Sequence, residues 1–193
     1  MRSVTTGLLK SRMARWSLFV VVLAAAGLSL AWMGQPQYKL GGGFIYSGGG
    51  VISTTFQIPL DPAGRTAAVR VNPLGYRADL AGLLAMFGAD SQTEFTGEAQ
   101  MTSRHTAKWA FVGYGTKQGN PPQICLIEVY SGTDTFTGPD SMDVTYTCDV
   151  YPGPANILGL PNADADGDGF PDAGTTPVVS FPGGGVGKRV PIP

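Results

Sequence analysis

The stretch "TEFTGEAQMTSRHTAKWAF", residues 93–111, decides the fold class because it predicts a β-hairpin. Apolar and polar side chains alternate with a period of two on both sides of Ser103-Arg104-His105, which is typical of half-buried strands. A turn at those three residues sets Met101 opposite Ala107, Ala99 opposite Trp109, and Gly97 opposite Phe111. Small residues then face large ones across the pair, so the inward face can pack.

A second hairpin is predicted from "QICLIEVY" (residues 123–130) and "SMDVTYTCDVY" (residues 141–151). The predicted register sets Cys125 opposite Cys148, Ile127 opposite Tyr146, and Val129 opposite Val144. All six side chains then share one face of the sheet. A slip of one residue would move the inward side chains of one strand to the other face of the sheet. The register therefore decides which side chains face the interior.

Three further strands and one helix are predicted before these hairpins. The strands lie in "YKLGGGFIYSGGG" (38–50), "VISTTFQIP" (51–59) and "TAAVRVN" (66–72). The helix lies in "ADLAGLLAMFG" (78–88), where Leu80, Leu83, Leu84 and Phe87 recur at helical spacing before Gly88. The sequence thus predicts a mainly β protein, an antiparallel meander of about seven strands with one short helix. The meander is expected to close as a small barrel or to fold as a sandwich.

The two ends of the chain are predicted to lie outside this β-domain, which spans residues 38–151. Residues 1–33 combine early basic residues with an apolar run from Trp16 to Met33, which predicts a signal peptide cleaved after Ala31 or an uncleaved membrane anchor through 16–33. Either reading exports the body to the cell envelope, the periplasm or the exterior. From Pro152 to Pro193 the strand pattern stops, which predicts an irregular Pro/Gly/Asp-rich tail.

The charge balance argues against nucleic acid as a partner. The chain has 13 basic and 14 acidic residues, and four of the basic ones (Arg2, Lys10, Arg12 and Arg15) lie in the first fifteen positions. Without those four, nine basic residues face fourteen acidic ones, a net charge of about −5. A nucleic-acid-binding surface needs a basic footprint, which this body lacks. The sequence identifies no protein or small-molecule partner.

The two cysteines raise the question of a disulfide, because the chain is predicted to be exported. The predicted register would join Cys125 and Cys148 across neighbouring strands. Such a bridge would close a loop of about twenty residues and contribute about 3 kcal/mol in the chain-entropy model. The alternative is a pair of buried free thiols, which behave as small apolar side chains.

Catalytic and phosphate-binding motifs are missing from the sequence. The single histidine, His105, lies in a predicted turn beside Arg104 and has no local partner for acid–base catalysis. "GGGVGKR" (183–189) departs from the phosphate-loop pattern, since Pro182 replaces its first glycine and Arg189 its Ser or Thr. An enzymatic role is therefore not expected, and no catalytic or cofactor-binding residue is assigned.

The stretch "NADADGDGFPDAG", residues 162–174, is the candidate metal site. Calcium takes six to eight hard oxygen ligands, and a short loop supplies them by alternating Asp with small turn residues. The five candidate ligands are the side chains of Asp164, Asp166, Asp168 and Asp172 and the carbonyl of Phe170, with Gly169 at the sharp turn. The alternative is an acidic linker kept soluble by its charge.

Residues 164–172 resemble the D-x-D-x-D-G-x-x-D calcium loops of thrombospondin type 3 repeats and related EF-hand-like loops. The resemblance is local and does not extend to the β-domain. Thr175 stands where an EF-hand-like loop has a bidentate Glu, and the stretch occurs once rather than in an array. With these departures the resemblance implies weak calcium binding in the loop 164–175, with a dissociation constant of about 10⁻⁴–10⁻³ M, that stiffens the C-terminal tail.

Two functions are consistent with these features. The first is a non-enzymatic binding or structural module of the cell envelope or exterior. The alternative is a calycin-like barrel that binds or transforms a small apolar ligand in its interior, an analogy at the level of fold. The aromatic candidates to line such an interior are Phe95, Trp109, Phe111, Tyr114 and Tyr146. A tightly filled interior would instead make these rings ordinary core residues.

Overall fold

The structure, a computed structural model, describes residues 38–48, 51–73 and 78–191. The predicted signal peptide or anchor, residues 1–33, lies outside these ranges. Of the helices in the described part of the chain, none is long and apolar enough to span a bilayer. The structure therefore bears on the predicted β-domain and on most of the predicted tail.

The described residues form nine strands and one short helix. The strands are β1 (Gly42–Gly48), β2 (Val51–Pro59), β3 (Thr66–Pro73), β4 (Ser91–Gln92), β5 (Phe95–Met101), β6 (Thr106–Lys117), β7 (Gln123–Gly138), β8 (Ser141–Pro152) and β9 (Val179–Arg189). The helix, α1 (Ala78–Phe87), connects β3 to β4. Gly88 ends α1 with a φ of 83°, a backbone conformation that glycine adopts without the steric cost of a Cβ.

Eight of the strands close into an antiparallel barrel. Around the barrel the order is β1-β2-β3-β5-β6-β7-β8-β9, and β9 pairs with β1 to complete the circle. The ninth strand, β4, pairs with β6 beyond the end of β5. The predicted mainly β meander with one short helix is confirmed, and of the two closures that the sequence left open, the barrel is observed.

The β5–β6 hairpin has the predicted register. Met101 pairs with Ala107, Ala99 with Trp109, and Gly97 with Phe111. Backbone hydrogen bonds from the amides of Thr102 and Ser103 to the carbonyl of Thr106 hold the predicted turn. Ala99 is 2% exposed, whereas the alternate residues Glu98 and Gln100 are exposed. The alternation seen in the sequence therefore separates the inside from the outside of this hairpin.

The β7–β8 hairpin has a different register from the predicted one. Cys148 pairs with Tyr130 and not with Cys125, a displacement of five residues along β7. Because five is odd, the displacement turns the other face of β7 inward, as the period of two requires. Glu128, Tyr130 and Asp134 therefore belong to the inward set, and β7 continues through Gly138, well past the predicted end at Tyr130.

The predicted irregular tail is wrong for residues 179–189, which form β9. This strand pairs along ten residues of β8 and four of β1, and without it the barrel would be open. Its run of Gly183, Gly184 and Gly185 looks loop-like because glycine has a low strand propensity. In the barrel, however, Gly183 lies where a larger residue would overlap the Tyr146 ring. Residues 153–178 form the connection between β8 and β9.

The buried apolar side chains of the barrel form two clusters. In the first, Leu83, Leu84 and Phe87 of α1 pack with Leu126 and Val150. The three α1 residues belong to the predicted apolar stripe of the helix. The second cluster includes Leu40, Phe44, Ala67, Ala107 and Phe136, and it continues along the interior through Val69, Val71, Phe95, Ala99, Met142 and Val144. The last six of these residues also line the candidate site.

Candidate functional site

The barrel interior contains a cavity of about 110 Å³. Six aromatic residues supply much of its wall: Tyr46, Phe95, Trp109, Phe111, Tyr130 and Tyr146. Five polar residues line it as well: Ser53, Thr55, Gln57, Gln92 and Asp134. A concave, mainly apolar space with a few polar groups is the usual form of a small-molecule site.

Four of the aromatic residues that the sequence suggested for an interior do line the cavity: Phe95, Trp109, Phe111 and Tyr146. Tyr114, the fifth, is an exception. It lies on the outward face of β6, where its hydroxyl donates a hydrogen bond to the carbonyl of Gly169 at 3.0 Å. The period of two explains this difference, since Tyr114 alternates with the inward Phe111 and Gly113.

Inward-facing glycines make room for the rings. A side chain at Gly183 would overlap the Tyr146 ring, and one at Gly132 would overlap the indole of Trp109. A side chain at Gly113 would overlap the Phe95 ring in the same way. Each ring thus lies against a strand that has no Cβ at the contact, which lets the barrel accommodate large side chains on its inner wall.

The rings form one connected wall. Trp109 and Phe111 stack with ring centroids 4.6 Å apart and planes 6° from parallel. Phe111 stacks on Tyr130 at 5.3 Å, and Tyr130 contacts Tyr146 at 5.8 Å. Because each ring is held by its neighbours, the wall of the cavity is preorganised.

Asp134 is the ionisable acid of the cavity wall. Its side chain is 4% exposed, and its Oδ1 accepts a hydrogen bond from the indole Nε1 of Trp109 at 2.7 Å. Burial raises the pKa of Asp134 to about 6, and the hydrogen bond from Trp109 opposes that rise. Near neutral pH the cavity therefore carries a buried carboxylate that one neutral donor stabilises.

Glu128 is a second buried acid on the inward face of β7. It is fully buried, and its Oε2 accepts a hydrogen bond from the amide Nε2 of Gln92, which itself lines the cavity. Burial raises the pKa of Glu128 to about 7, opposed by the Gln92 hydrogen bond. Among the described residues, none hydrogen bonds to Glu128 Oε1 or Gln92 Oε1. Such unsatisfied buried acceptors cost stability and are uncommon.

The polar residues of β2 lie across the barrel from β7. Three strands separate β2 from β7 in either direction around the barrel, so the two strands form opposite walls. Ser53 and Gln57 are buried on β2, and the Gln57 Oε1 accepts a hydrogen bond from the backbone amide of Gly41 at 3.2 Å. A molecule in the cavity thus meets polar groups on two opposite sides and rings between them.

The sequence reasoning missed Asp134, Glu128, Tyr130 and the polar face of β2. The signal for Asp134 was present in "SGTDTFTG" (131–138), where the period of two continues beyond Tyr130. That stretch contains two glycines and reads as a turn when it is taken alone. Pairing with β6 and β8 on its two edges makes it a strand instead.

The predicted disulfide does not form in this structure. Cys125 and Cys148 are both buried free thiols, which is the alternative that the sequence left open. The displaced register is the physical reason, since Cys148 pairs with Tyr130. Burial raises the pKa of the Cys148 thiol to about 12, and a hydrogen bond with Tyr130 opposes the rise. This thiol therefore stays protonated at neutral pH.

Residues 163–178, which contain most of the acidic stretch and are called the acidic loop, fold against the outer wall of the barrel. The backbone amide of Ala163 donates to the carbonyl of Pro152, and the amide of Val178 donates to that of Val150. Ala163 is 2% exposed. The carbonyl of Gly169 accepts the hydrogen bond from the Tyr114 hydroxyl described above. The loop is thus fixed to β8 at both ends and to β6 in its middle.

Three of the four predicted aspartate ligands lie together. Carboxylate oxygens of Asp164, Asp166 and Asp168 all lie within 4.8 Å of one another. Asp172 contacts the same loop, since its Oδ2 accepts a hydrogen bond from the amide of Ala165, between Asp164 and Asp166, at 3.0 Å. Phe170 donates its amide to Asp168 Oδ1 at 2.8 Å. The loop therefore offers a three-carboxylate cluster.

Asp164 is the buried member of that cluster. Its side chain is 9% exposed, and its Oδ2 accepts a hydrogen bond from the amide of Gly169 at 3.1 Å. Its Oδ1 is buried and has no hydrogen-bond partner among the described residues. A buried carboxylate oxygen without a donor is costly, and a cation would satisfy it.

The structure also places two motifs that the sequence analysis considered. His105 is exposed in the β5–β6 turn, as predicted, and its ring lies 5.5 Å from that of Tyr38. "GGGVGKR" belongs to strand β9 and not to the predicted irregular tail. Comparisons of the chain with protein-family models, with curated proteins and with solved structures found no match.

Proposed function

We propose that the protein binds a small organic molecule inside its β-barrel. The observation that supports this is the cavity of about 110 Å³ in the barrel interior, walled by rings and by polar groups on opposite strands. An eight-stranded barrel can be filled entirely by side chains or can hold one small ligand. The cavity favours ligand binding over a purely structural role.

The size of the cavity limits the ligand. An engineered apolar cavity of about 150 Å³ takes up benzene, so a cavity of about 110 Å³ suits a molecule with no more than one ring. The polar groups on β2 and β7 would set the orientation of the molecule, and the rings would supply most of the apolar contact. Binding outside the cytoplasm follows if the predicted export occurs, and that part stays a prediction.

Ala99→Leu tests the location of the site. Ala99 is 2% exposed and lines the cavity, so the substitution places three more carbon atoms in the space that a ligand would occupy. A fragment library of single-ring compounds would be screened against the full chain by ligand-observed NMR. We expect hits on the wild type that lose at least about tenfold in affinity in Ala99→Leu, a penalty of about 1.4 kcal/mol.

The matched control is Ala110→Leu, the same change at an exposed residue on the outward face of β6. It should bind every hit as the wild type does. Thermal unfolding of both variants shows whether the barrel is intact. Folded variants that bind equally well would place the ligand outside the barrel, and a screen without any hit would overturn the proposed function.

We also propose that the acidic loop binds calcium weakly. The buried, unpartnered Oδ1 of Asp164 next to the carboxylates of Asp166 and Asp168 supports this second function. Oxygen ligands of this kind suit a hard cation, and the loop resembles known calcium loops. Because the loop joins β8 to β9, a bound ion would stiffen the connection that closes the barrel.

Thermal unfolding in about 10 mM calcium and in chelator tests this site. With a dissociation constant of about 10⁻⁴–10⁻³ M, calcium should stabilise the wild type by about 1–3 kcal/mol. Asp166→Asn/Asp168→Asn should abolish the gain, whereas Asp143→Asn, at an exposed acid on β8, should retain it. Equal stability of the wild type in calcium and in chelator would make the stretch an acidic linker.

A further inference from the structure

The charge of the cavity wall restricts the class of ligand that the proposed function involves. Asp134 contributes a carboxylate to the wall, and among the described residues that line the cavity none is Lys, Arg or His. The described ion pairs involve Arg70 with Glu94 and Arg189 with Asp140, both away from Asp134. Neither of these two described ion pairs involves the Asp134 carboxylate.

The position of Asp134 makes that charge available to a ligand. Its Oδ1 is held by the Trp109 indole at 2.7 Å, which fixes the orientation of the carboxylate on the cavity wall. An anionic ligand would meet this carboxylate in a space of low dielectric and be repelled. A cationic ligand would supply a counter-charge, and such pairs are strong when they are desolvated.

The rings around Asp134 favour the same class of ligand. Trp109, Tyr130 and Tyr146 line the cavity, and the faces of aromatic rings carry negative potential that attracts an organic cation. Trp109 stacks on Phe111 and hydrogen bonds to Asp134, so its ring is held in place before a ligand arrives. Aromatic cages recognise quaternary ammonium ligands through their ring faces, and here the Asp134 carboxylate adds a negative charge beside the rings.

We infer that the ligand of the barrel is a small organic cation, an amine with at most one ring, whose ammonium group pairs with Asp134 against the aromatic wall. This inference rests on the proposed function, since it names the ligand class of the same cavity. A neutral donor, such as an alcohol, could also hydrogen bond to Asp134. The experiment must therefore separate charge from donor capacity.

Three ligands with the same ring separate these possibilities: benzylamine, benzyl alcohol and benzoate. Their affinities for the full-length protein would be measured by calorimetry at a pH of about 8, where the amine is protonated and both Asp134 and Glu128 are ionised. We expect benzylamine to bind at least tenfold more tightly than benzyl alcohol, and benzoate to bind least. The indole N–H resonance of Trp109, assigned with Trp109→Phe, should shift on addition of benzylamine because Trp109 donates to Asp134.

Asp134→Asn is the decisive variant. The asparagine Oδ1 can still accept the Trp109 hydrogen bond, so the barrel should fold while the charge is removed. The preference for benzylamine over benzyl alcohol should then fall to less than twofold. Asp143→Asn removes an exposed charge from β8 and should leave the preference unchanged. If Asp134→Asn does not fold, the shift of the Trp109 resonance in the wild type still decides whether the amine enters the cavity.

The outcomes separate this inference from the proposed function. Equal or tighter binding of benzyl alcohol in the wild type would overturn the cation inference and leave the barrel as a binder of neutral molecules. A benzylamine preference that survives in folded Asp134→Asn would also overturn the inference. If none of the three ligands binds while other single-ring fragments do, the inference fails and the proposed function stands. If no fragment binds at all, both fail.

Discussion

The β5–β6 and β7–β8 hairpins give the barrel interior two walls of different chemistry. From β5, Phe95, Gly97 and Ala99 face inward, all of them apolar or small. From β7, the inward set includes Glu128 and Asp134, two carboxylic acids buried within six positions of each other. The first wall is built for close packing, whereas the second carries groups that are costly to bury.

This difference suggests a division of roles between the walls. The β5–β6 wall stabilises the barrel through the contact of rings with glycine and alanine. The β7–β8 wall destabilises it at neutral pH, because burial raises the pKa of Asp134 to about 6 and that of Glu128 to about 7. Buried acids with displaced pKa values are often found at functional sites, which is the role we propose for Asp134.

Gly97→Val should lower the stability of the barrel more than any other change considered, because it disrupts the packing of the β5–β6 wall. A side chain at Gly97 would overlap the backbone carbonyl of Ala110 and the Phe111 side chain, and backbone atoms cannot move aside cheaply. We expect a loss of at least about 4 kcal/mol in the free energy of unfolding, measured by chemical denaturation.

The control for that substitution is Gly43→Val on β1. There the nearest atoms to an added Cβ are 3.6 Å away, on Phe56 and Val190, which is ordinary van der Waals contact. We expect a change of less than about 1 kcal/mol. Similar losses for the two variants would mean that the packing of Gly97 against β6 is not what distinguishes this wall.

The same contrast explains which parts of the fold could be predicted from the sequence. Across β5 and β6, small residues alternate with large ones, so one register alone packs well, and the structure confirms it. For β7 and β8 the predicted register depends on the pairing of Cys125 with Cys148. Two small thiols do not favour one register over another by packing. The predicted register is wrong by five residues along β7.

The site was harder to predict for a related reason. The four cavity aromatics could be suggested because they are large and lie at alternate positions. The inward position of Asp134 depends on β7 being paired with β6 and β8 along its whole length, a non-local constraint. Likewise, Gly183 leaves room for the Tyr146 ring where β9 pairs with β8. The composition of residues 179–189 alone does not reveal this contact.

Glu128→Gln tests how much the buried Glu128 of the β7–β8 wall lowers the stability of the barrel. The unfolded chain loses the Glu128 proton near the ordinary pKa of 4.5, whereas the folded protein keeps it to about 7. The folded state therefore binds more protons between these values, so the stability of the wild type should fall by about 3 kcal/mol as the pH rises from 4.5 to 7. Glu128→Gln should lack this fall and be more stable than the wild type near neutral pH.

Asp134→Asn tests the same effect over a lower pH range than Glu128→Gln. The pKa of Asp134 is raised from 3.8 to about 6, so this variant should lack only the fall in stability between those pH values. Urea unfolding of the wild type and both variants across the pH range separates the two contributions. A pH profile of Glu128→Gln that matches the wild type would show that Glu128 ionises freely in the folded protein.

The thiols of the β7–β8 wall should give the smallest effect. With Cys125 and Cys148 as free thiols, removing the reductant should change the free energy of unfolding by less than about 0.5 kcal/mol, whereas a disulfide would contribute about 3 kcal/mol. Both thiols are buried, so a thiol reagent should label neither in the folded protein and both in denaturant. Cys148→Ser should leave one labelled thiol. A stability that falls by several kcal/mol on reduction, together with the absence of labelling in denaturant before reduction, would restore the disulfide and contradict the observed register of β7.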